Sequence, residues 1–294
     1  MKPLNPFVIT GCLVFAVLLS FAPAQERWDN IPRRRVVMAS DGSLPPTKNG
    51  WDVEAHAVAY RQGTTELEGW LAIPKNEVAK KAAVLIVHDW TGVQDYSRKR
   101  AQQLAELGCV VLVADIYGKG IRPSNPKDAA VEAGKYKADR ALFRTRLLAG
   151  LEELKKQPNV DPDRIAAIGY CFGGTGVLEL ARAGADVKGV VSFHGGLDSP
   201  NPADGKNIKT KVLILHGADD PYVPAEGIAA MTAEFNAAKV DWQMVIYSGA
   251  VHSFTNKGAG DDASKGNAYN AAADARSWAH LRTFFNEVFA PAAK

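Results

Sequence analysis

The stretch RIAAIGYCFGGTG, residues 164–176, decides the fold. Residues 164–168 form a short apolar run of strand character, and residues 175–182 turn helical. Between them lies Gly169-Tyr170-Cys171-Phe172-Gly173, a G-x-C-x-G turn. A nucleophile carried on a sharp strand-to-helix turn sits in strained backbone, so its neighbours must lack bulk, and glycine on both flanks meets that need. The turn also places the Cys171 sulfur at a helix N-terminus, whose partial positive charge favours a thiolate. The Phe172 N–H then points outward, toward the place where an oxyanion would form. Taken alone, the turn is equally compatible with a small buried cysteine in a glycine-rich loop, so the rest of the chain has to decide.

Working outward, apolar strands alternate with helical stretches. Upstream, residues 51–60 and 66–73 read as two strands joined by a turn at 61–64. A strand at 82–87 (AAVLIV), a helix at 96–107, a strand at 110–114 and a long helix at 138–156, stopped by Pro158, follow. Downstream, strands are expected at 187–193, 211–215 and 242–247, with helices at 225–238 and 269–289. Trp278, Leu281, Phe285 and Val288 give the last helix an apolar stripe. Continuous apolar strands joined by helices predict a mostly parallel central sheet with helices on both faces. In such sheets ligands gather beyond the carboxyl ends of the strands.

Two further strand ends carry chemistry. After the strand at 211–215 comes His216-Gly217-Ala218-Asp219-Asp220, where a carboxylate can orient an imidazole, and only one of the adjacent pair is expected to face the site. After the strand at 242–247 comes Gly249-Ala250-Val251-His252-Ser253-Phe254, with His252 placed to act as base. The chain order is then Cys171, Asp, His252, the nucleophile–acid–base order of α/β-hydrolases.

The composition is that of a globular protein: 294 residues, 47% hydrophobic and 23% charged, which excludes a disordered chain, a collagen or a multi-span membrane protein. The net charge of +3 includes Lys2 and gives no case for nucleic acid or an anionic membrane as partner. Residues 1–24 read as a signal peptide: Lys2, an apolar run at 7–22, then Ala22-Pro23-Ala24 as a cleavage site. Export to the periplasm or medium is expected, with no membrane attachment after cleavage. Residues 25–50, with Arg33-Arg34-Arg35 and Pro45-Pro46, read as a linker or N-terminal arm, leaving 51–294 as the catalytic domain. Cys109 precedes one strand and Cys171 follows another, so they belong to opposite ends of a parallel sheet and are expected to stay free thiols.

The motifs GYCFGG, HGADDPYVP, GAVHSF and VLIVHDWTGV, at these spacings, resemble the dienelactone hydrolase family from about residue 51 onward. The resemblance implies an α/β-hydrolase fold and a Cys-His-Asp triad that cleaves an ester or lactone, with no metal or cofactor. Residue by residue, it makes Cys171 the nucleophile, His252 the base and Asp220, rather than Asp219, the acid. It assigns the oxyanion hole to the backbone N–H groups of Phe172 and Trp90. Two positions depart from the family pattern. Asp89 stands where these enzymes carry a Glu that contacts the nucleophile, and Asn256 where they carry an Arg that holds a substrate carboxylate, a role an amide does not fill. Arg140 and Arg144 offer positive charge, but they read better as solvated helix charges. Asp89, Tyr117, His194 and Tyr222 are the candidate substrate contacts, and Trp90 and both tyrosines the candidate pocket walls. A small-molecule substrate and a monomer are expected. The alternatives are a thioesterase or other acyl-transfer enzyme on the same scaffold, or an exported binding or redox protein that uses Cys171 without hydrolysis.

Overall fold

Strand β3 (Lys81–Val87) shows how these residues make a sheet. Ala83, Leu85 and Val87 pack into one apolar cluster, while Ala82, Val84 and Ile86 join another on the opposite face. Alternate side chains point to opposite faces, so a strand covered on both sides is apolar at successive positions, as residues 82–87 are. β4 (Val110–Ala114) divides in the same way: Val110, Leu112 and Ala114 against Val111 and Val113.

In the computed structural model, which describes residues 52–75 and 80–290, six more strands complete the sheet. They are β1 (Val53–Gln62), β2 (Thr65–Pro74), β5 (Val160–Tyr170), β6 (Gly189–Phe193), β7 (Lys211–Gly217) and β8 (Trp242–Tyr247). The order is β1-β2-β4-β3-β5-β6-β7-β8. β2 is antiparallel to both of its neighbours, and the remaining pairs are parallel. The leader expected over 1–24 and the arm expected over 25–50 lie outside the described residues.

Helices α1 (Asp95–Ala105) and α6 (Ala271–Val288) cover one face through Leu104, Trp278, Leu281 and Phe285. The other face carries α2 (Pro126–Ala138), α3 (Arg140–Lys155), α4 (Phe172–Arg182) and α5 (Ala225–Ala238), through Tyr136, Phe143, Leu147, Val177 and Phe235. Each fully buried leucine or phenylalanine contributes roughly 1.5–3 kcal/mol by leaving water.

Three expectations change. The helix expected over 138–156 is α3, which starts later, at Arg140, because Asp139, whose φ of −115° and ψ of 87° are non-helical, caps it by accepting the Leu142 N–H. The preceding helix α2 was not anticipated, because its buried face is Ala129, Ala133 and Tyr136 rather than a stripe of large residues. Its start was nonetheless written locally: Asn125 caps it and Pro126 occupies its first turn.

Arg140 and Arg144 are not solvated charges. Arg140 contacts Glu179 at 3.6 Å and Asp198 at 2.6 Å, and Arg144 contacts Glu179 at 2.8 Å and Asp204 at 2.7 Å. Arg182 joins them, pairing with Glu179 at 3.1 Å and holding both oxygens of Glu234 at 2.8 Å. The cause is Glu179: it lies on a helix buried along its whole length, and a buried carboxylate must be matched by cations.

Finally, β5 runs through Tyr170 and α4 begins at Phe172. The turn between them is therefore a single residue, tighter than the expected strand end at 168 and helix start at 175.

Candidate active site

That single residue is Cys171, with φ of +55° and ψ of −114°. This backbone region costs an L-residue roughly 1–3 kcal/mol and persists only where the surroundings impose it. They do. A Cβ on Gly169 would lie 1.9 Å from the Gly173 carbonyl oxygen, and one on Gly173 would lie 2.1 Å from that of Val87. The Cys171 N–H donates to Phe193 O at 3.0 Å and to His194 Nδ1 at 3.2 Å. Its carbonyl accepts from the N–H groups of Gly174 and Thr175, the first turn of α4. The sulfur is thus at the positive end of a buried helix.

Asp220 follows β7. One of its oxygens accepts the Tyr222 N–H at 2.9 Å and the other accepts from His252 Nδ1 at 2.8 Å. The side chain is fully buried, whereas neighbouring Asp219 is exposed, so the geometry selects Asp220 from the pair. His252 lies on the loop after β8. Its backbone is pinned by an isolated bridge to Asn267, with the His252 N–H donating to Gly266 O and the Ala268 N–H donating to His252 O. Bonding of Nδ1 to Asp220 fixes the tautomer and leaves Nε2 for Cys171. Burial opposes a charge on His252, but hydrogen bonds to Asp220 and to the Cys171 sulfur outweigh it and push the imidazole up to about 10.

His194 has φ of +40° and is buried just beneath Cys171. Since Nδ1 accepts the Cys171 N–H, the proton is on Nε2, which donates to Thr255 Oγ1 at 2.7 Å. Thr255 Oγ1 in turn lies 2.6 Å from the Tyr96 hydroxyl. Burial holds His194 well below the ordinary histidine range, so this imidazole stays neutral. Its ring stands edge-on to His252 at 5.2 Å.

The loop after β3 is held from behind. His88 Nδ1 donates to Asp89 O at 2.6 Å, and Nε2 accepts the Ile116 N–H at 3.3 Å. Asp89 Oδ1 accepts from the Thr91 N–H at 2.8 Å and the Thr91 hydroxyl at 2.5 Å. Tyr117 is not a pocket wall. Its ring packs against His88, Tyr136 and Phe172, and its hydroxyl donates to Trp90 O at 3.0 Å, so it supports Trp90 from below. Buried aromatic neighbours on several sides hold it more firmly than an open cavity would. Among the described residues, the N–H groups of Trp90 and Phe172 meet no acceptor.

A cavity of about 200 Å³ opens here, lined by Asp89, Trp90, Cys171, His194, Ser253 and Asn256 together with flanking polar side chains. Tyr222 is exposed and edge-on to His252, with ring centroids 5.1 Å apart, and is not among the residues lining the cavity. Tyr96, Thr255 and Asn267 were not singled out in the sequence. Tyr96 and Thr255 lie 159 residues apart and meet only in the fold. Ser253 carried one local signal, its place beside His252, and it too is held at positive φ. A larger hollow of about 430 Å³, lined by Lys81, Cys109, Arg164 and Phe285, lies at the opposite ends of the strands and holds none of this chemistry. Among the described residues, no group of three or more His, Cys, Asp or Glu side chains is arranged to hold a metal ion.

The model of the dienelactone hydrolase family matches residues 67–289. The chain belongs to the dienelactone hydrolase family. Two solved structures are each 39% identical to it, each covering 81% of this chain and 99% of its own: m3DLH, with a TM-score of 0.78, and a dienelactone hydrolase-like promiscuous phosphotriesterase, P91, with a TM-score of 0.77. A putative carboxymethylenebutenolidase of Saccharolobus solfataricus is 24% identical over 265 residues, 79% of this chain and 98% of its own. As a dienelactone hydrolase family member, the protein has the α/β-hydrolase fold and is a hydrolase of ester or lactone type. Asp89 and Asn256, the two positions read from the sequence as departures from the family pattern, both line the cavity.

Proposed function

We propose that this protein cleaves a carboxylic ester or lactone through Cys171, His252 and Asp220 by way of a thioester. The observation that carries the reading is the 2.8 Å contact of Asp220 with His252 Nδ1, beside a Cys171 sulfur that helps raise the imidazole and is held in a strained one-residue turn. The sulfur attacks the carbonyl carbon and forms a C–S bond, its proton resting on His252. The oxyanion is received by the N–H groups of Phe172 and Trp90. The C–O bond then breaks, and His252 returns its proton to the departing alkoxide, which stays tethered to the acyl group if the substrate is a lactone. Water attacks the thioester, His252 takes its proton, the acid leaves and the thiol is restored. Asp220 holds the imidazole in the tautomer this requires.

The test is hydrolysis of a 4-nitrophenyl ester by the wild type and Cys171→Ala. Loss of about 10³-fold or more in kcat is expected, as for removal of a nucleophile elsewhere. An alanine variant with undiminished turnover would overturn the reading. The leader at 1–24 supports export as a companion proposal. N-terminal sequencing of the protein recovered outside the cytoplasm should begin at Gln25.

A further inference from the structure

The cavity beside Cys171 is lined by a carboxylate and by uncharged polar groups, with no lysine or arginine among its lining residues. Asp89 supplies the carboxylate, with one oxygen occupied by Thr91. Thr91, Tyr96, Ser253, Asn256 and Asn267 supply hydroxyls and amides, and Trp90 an aromatic face. The cations around the site are turned elsewhere. Arg100, behind Thr255, is committed to Asp274 Oδ1 and Thr255 O, both at 2.6 Å. Arg122 donates to Asp115 and to the carbonyls of Glu68, Gly118, Ile121 and Val93. Lys257, between the lining residues Asn256 and Gly258, reaches over the Tyr269 ring, its Nζ 5.9 Å from the centroid. Deeper in, the charge on His252 is matched by Asp220, and His194 is neutral. Whatever the protonation state of the sulfur, the balance facing a substrate is net negative.

We infer that this cavity selects uncharged esters and lactones and discriminates against substrates that carry a carboxylate near the scissile bond. The inference rests on the proposed ester cleavage and names its substrate class. A substrate carboxylate seated here would meet Asp89 with no cation to offset it. A like charge at about 6 Å in an effective dielectric of about 20 corresponds to roughly a hundredfold penalty. An uncharged carbonyl, ether or amide finds hydroxyl and amide partners instead. The volume of about 200 Å³ suits a small group, being below the roughly 300–1,000 Å³ of pockets for drug-sized ligands.

The experiment uses two rigid matched pairs, which probe the charge on either side of the scissile bond. 4-Acetoxybenzamide against 4-acetoxybenzoate places it on the leaving group. The 4-nitrophenyl esters of 4-carbamoylbenzoic and 4-carboxybenzoic acid place it on the acyl group. Each rate is divided by that of alkaline hydrolysis to remove intrinsic reactivity. In at least one pair the neutral member should show kcat/KM at least about tenfold higher, with the ratio shrinking as salt screens the repulsion. In that pair Asp89→Asn should shrink the ratio, and Asn256→Arg should shrink or invert it. The second variant keeps the test alive if Asp89→Asn does not fold. Ratios near one in both pairs, or a preference unmoved by both variants, overturn the charge selection while leaving the hydrolase reading intact. No turnover of any of the four esters above the Cys171→Ala background sinks the hydrolase reading and this inference with it.

Discussion

At the scale of single residues, the site brings three positions of strained backbone together. Cys171, His194 and Ser253 all have positive φ without being glycine, and all three line the cavity. Strain of this kind persists only where neighbours over-determine it, and here two histidines divide the work. His252 carries the charge. Its folded-state pKa is raised from 6.5 to about 10, so its stabilising contribution is full below pH 6.5 and is lost as pH rises through about 10. Cys171→Ala removes two of the interactions that raise it. By ¹H–¹⁵N NMR of the imidazole, the wild-type His252 should titrate near 10 and the variant closer to 6.5, with Asp220 alone keeping it above that value. An unchanged titration would mean that the sulfur does not touch the ring. His194 instead acts as a positioning residue, a neutral acceptor for the Cys171 N–H. His194→Phe removes the acceptor and should lower kcat by about tenfold or more with little change in KM, whereas His194→Asn keeps an acceptor at the δ position and should recover part of the loss. Steady-state kinetics on one neutral ester decides it, and full kcat in the phenylalanine variant would rule the role out.

At the scale of elements, α4 starts directly after the nucleophile and carries the charge that anchors its far half. Glycines at 169 and 173 let its first turn meet β5 and the Val87 carbonyl at distances that no Cβ permits. Farther along, Glu179 draws Arg140, Arg144 and Arg182 together, and Arg182 also reaches toward the carbonyls of Leu197 and Asp198 in the loop after His194. The network ties α3, α4 and α5 together beneath that loop. Glu179→Gln removes the carboxylate that the three guanidiniums share but leaves Asp198 to Arg140, Asp204 to Arg144 and Glu234 to Arg182, so the cost is that of lost charged hydrogen bonds, about 1–3 kcal/mol. Urea denaturation should show a loss of that order. A change below about 1 kcal/mol would mean that Asp198, Asp204 and Glu234 hold the arginines without it.

At the scale of the whole molecule, a parallel sheet separates its two ends chemically. The carboxyl end gathers Cys171, Asp220, His252 and the cavity, while Cys109 sits at the other end, buried at the start of β4. Both thiols are free, and burial pushes Cys109 up to about 11. In a chain that begins at Gln25, the cleaved form proposed above, iodoacetamide at neutral pH should modify one thiol per native chain, at Cys171, and a second only after unfolding. Mass spectrometry of native and urea-unfolded samples checks this. Native labelling of Cys109 at a comparable rate would contradict the burial.

The amino-acid sequence by itself determined the strand–helix alternation, because apolar runs and helical spacing are local properties. It also determined the glycine-flanked turn at Cys171 and the order of the three candidate catalytic residues. What it did not carry was distance. Whether Asp219 or Asp220 faces His252 rests, in the sequence, on resemblance alone, and the choice became physical only through a 2.8 Å contact across two loops. Tyr96 and Thr255, far apart along the chain, became partners, with Thr255 bonded to His194, only when α1 and the loop after β8 met. Arg140 and Arg144 read as solvated because an exposed and a buried helix face carry the same letters, and only the position of Glu179 on a neighbouring helix distinguishes them. Tertiary structure decided these points because hydrogen bonds and ion pairs depend on separation in space, which a local pattern does not encode.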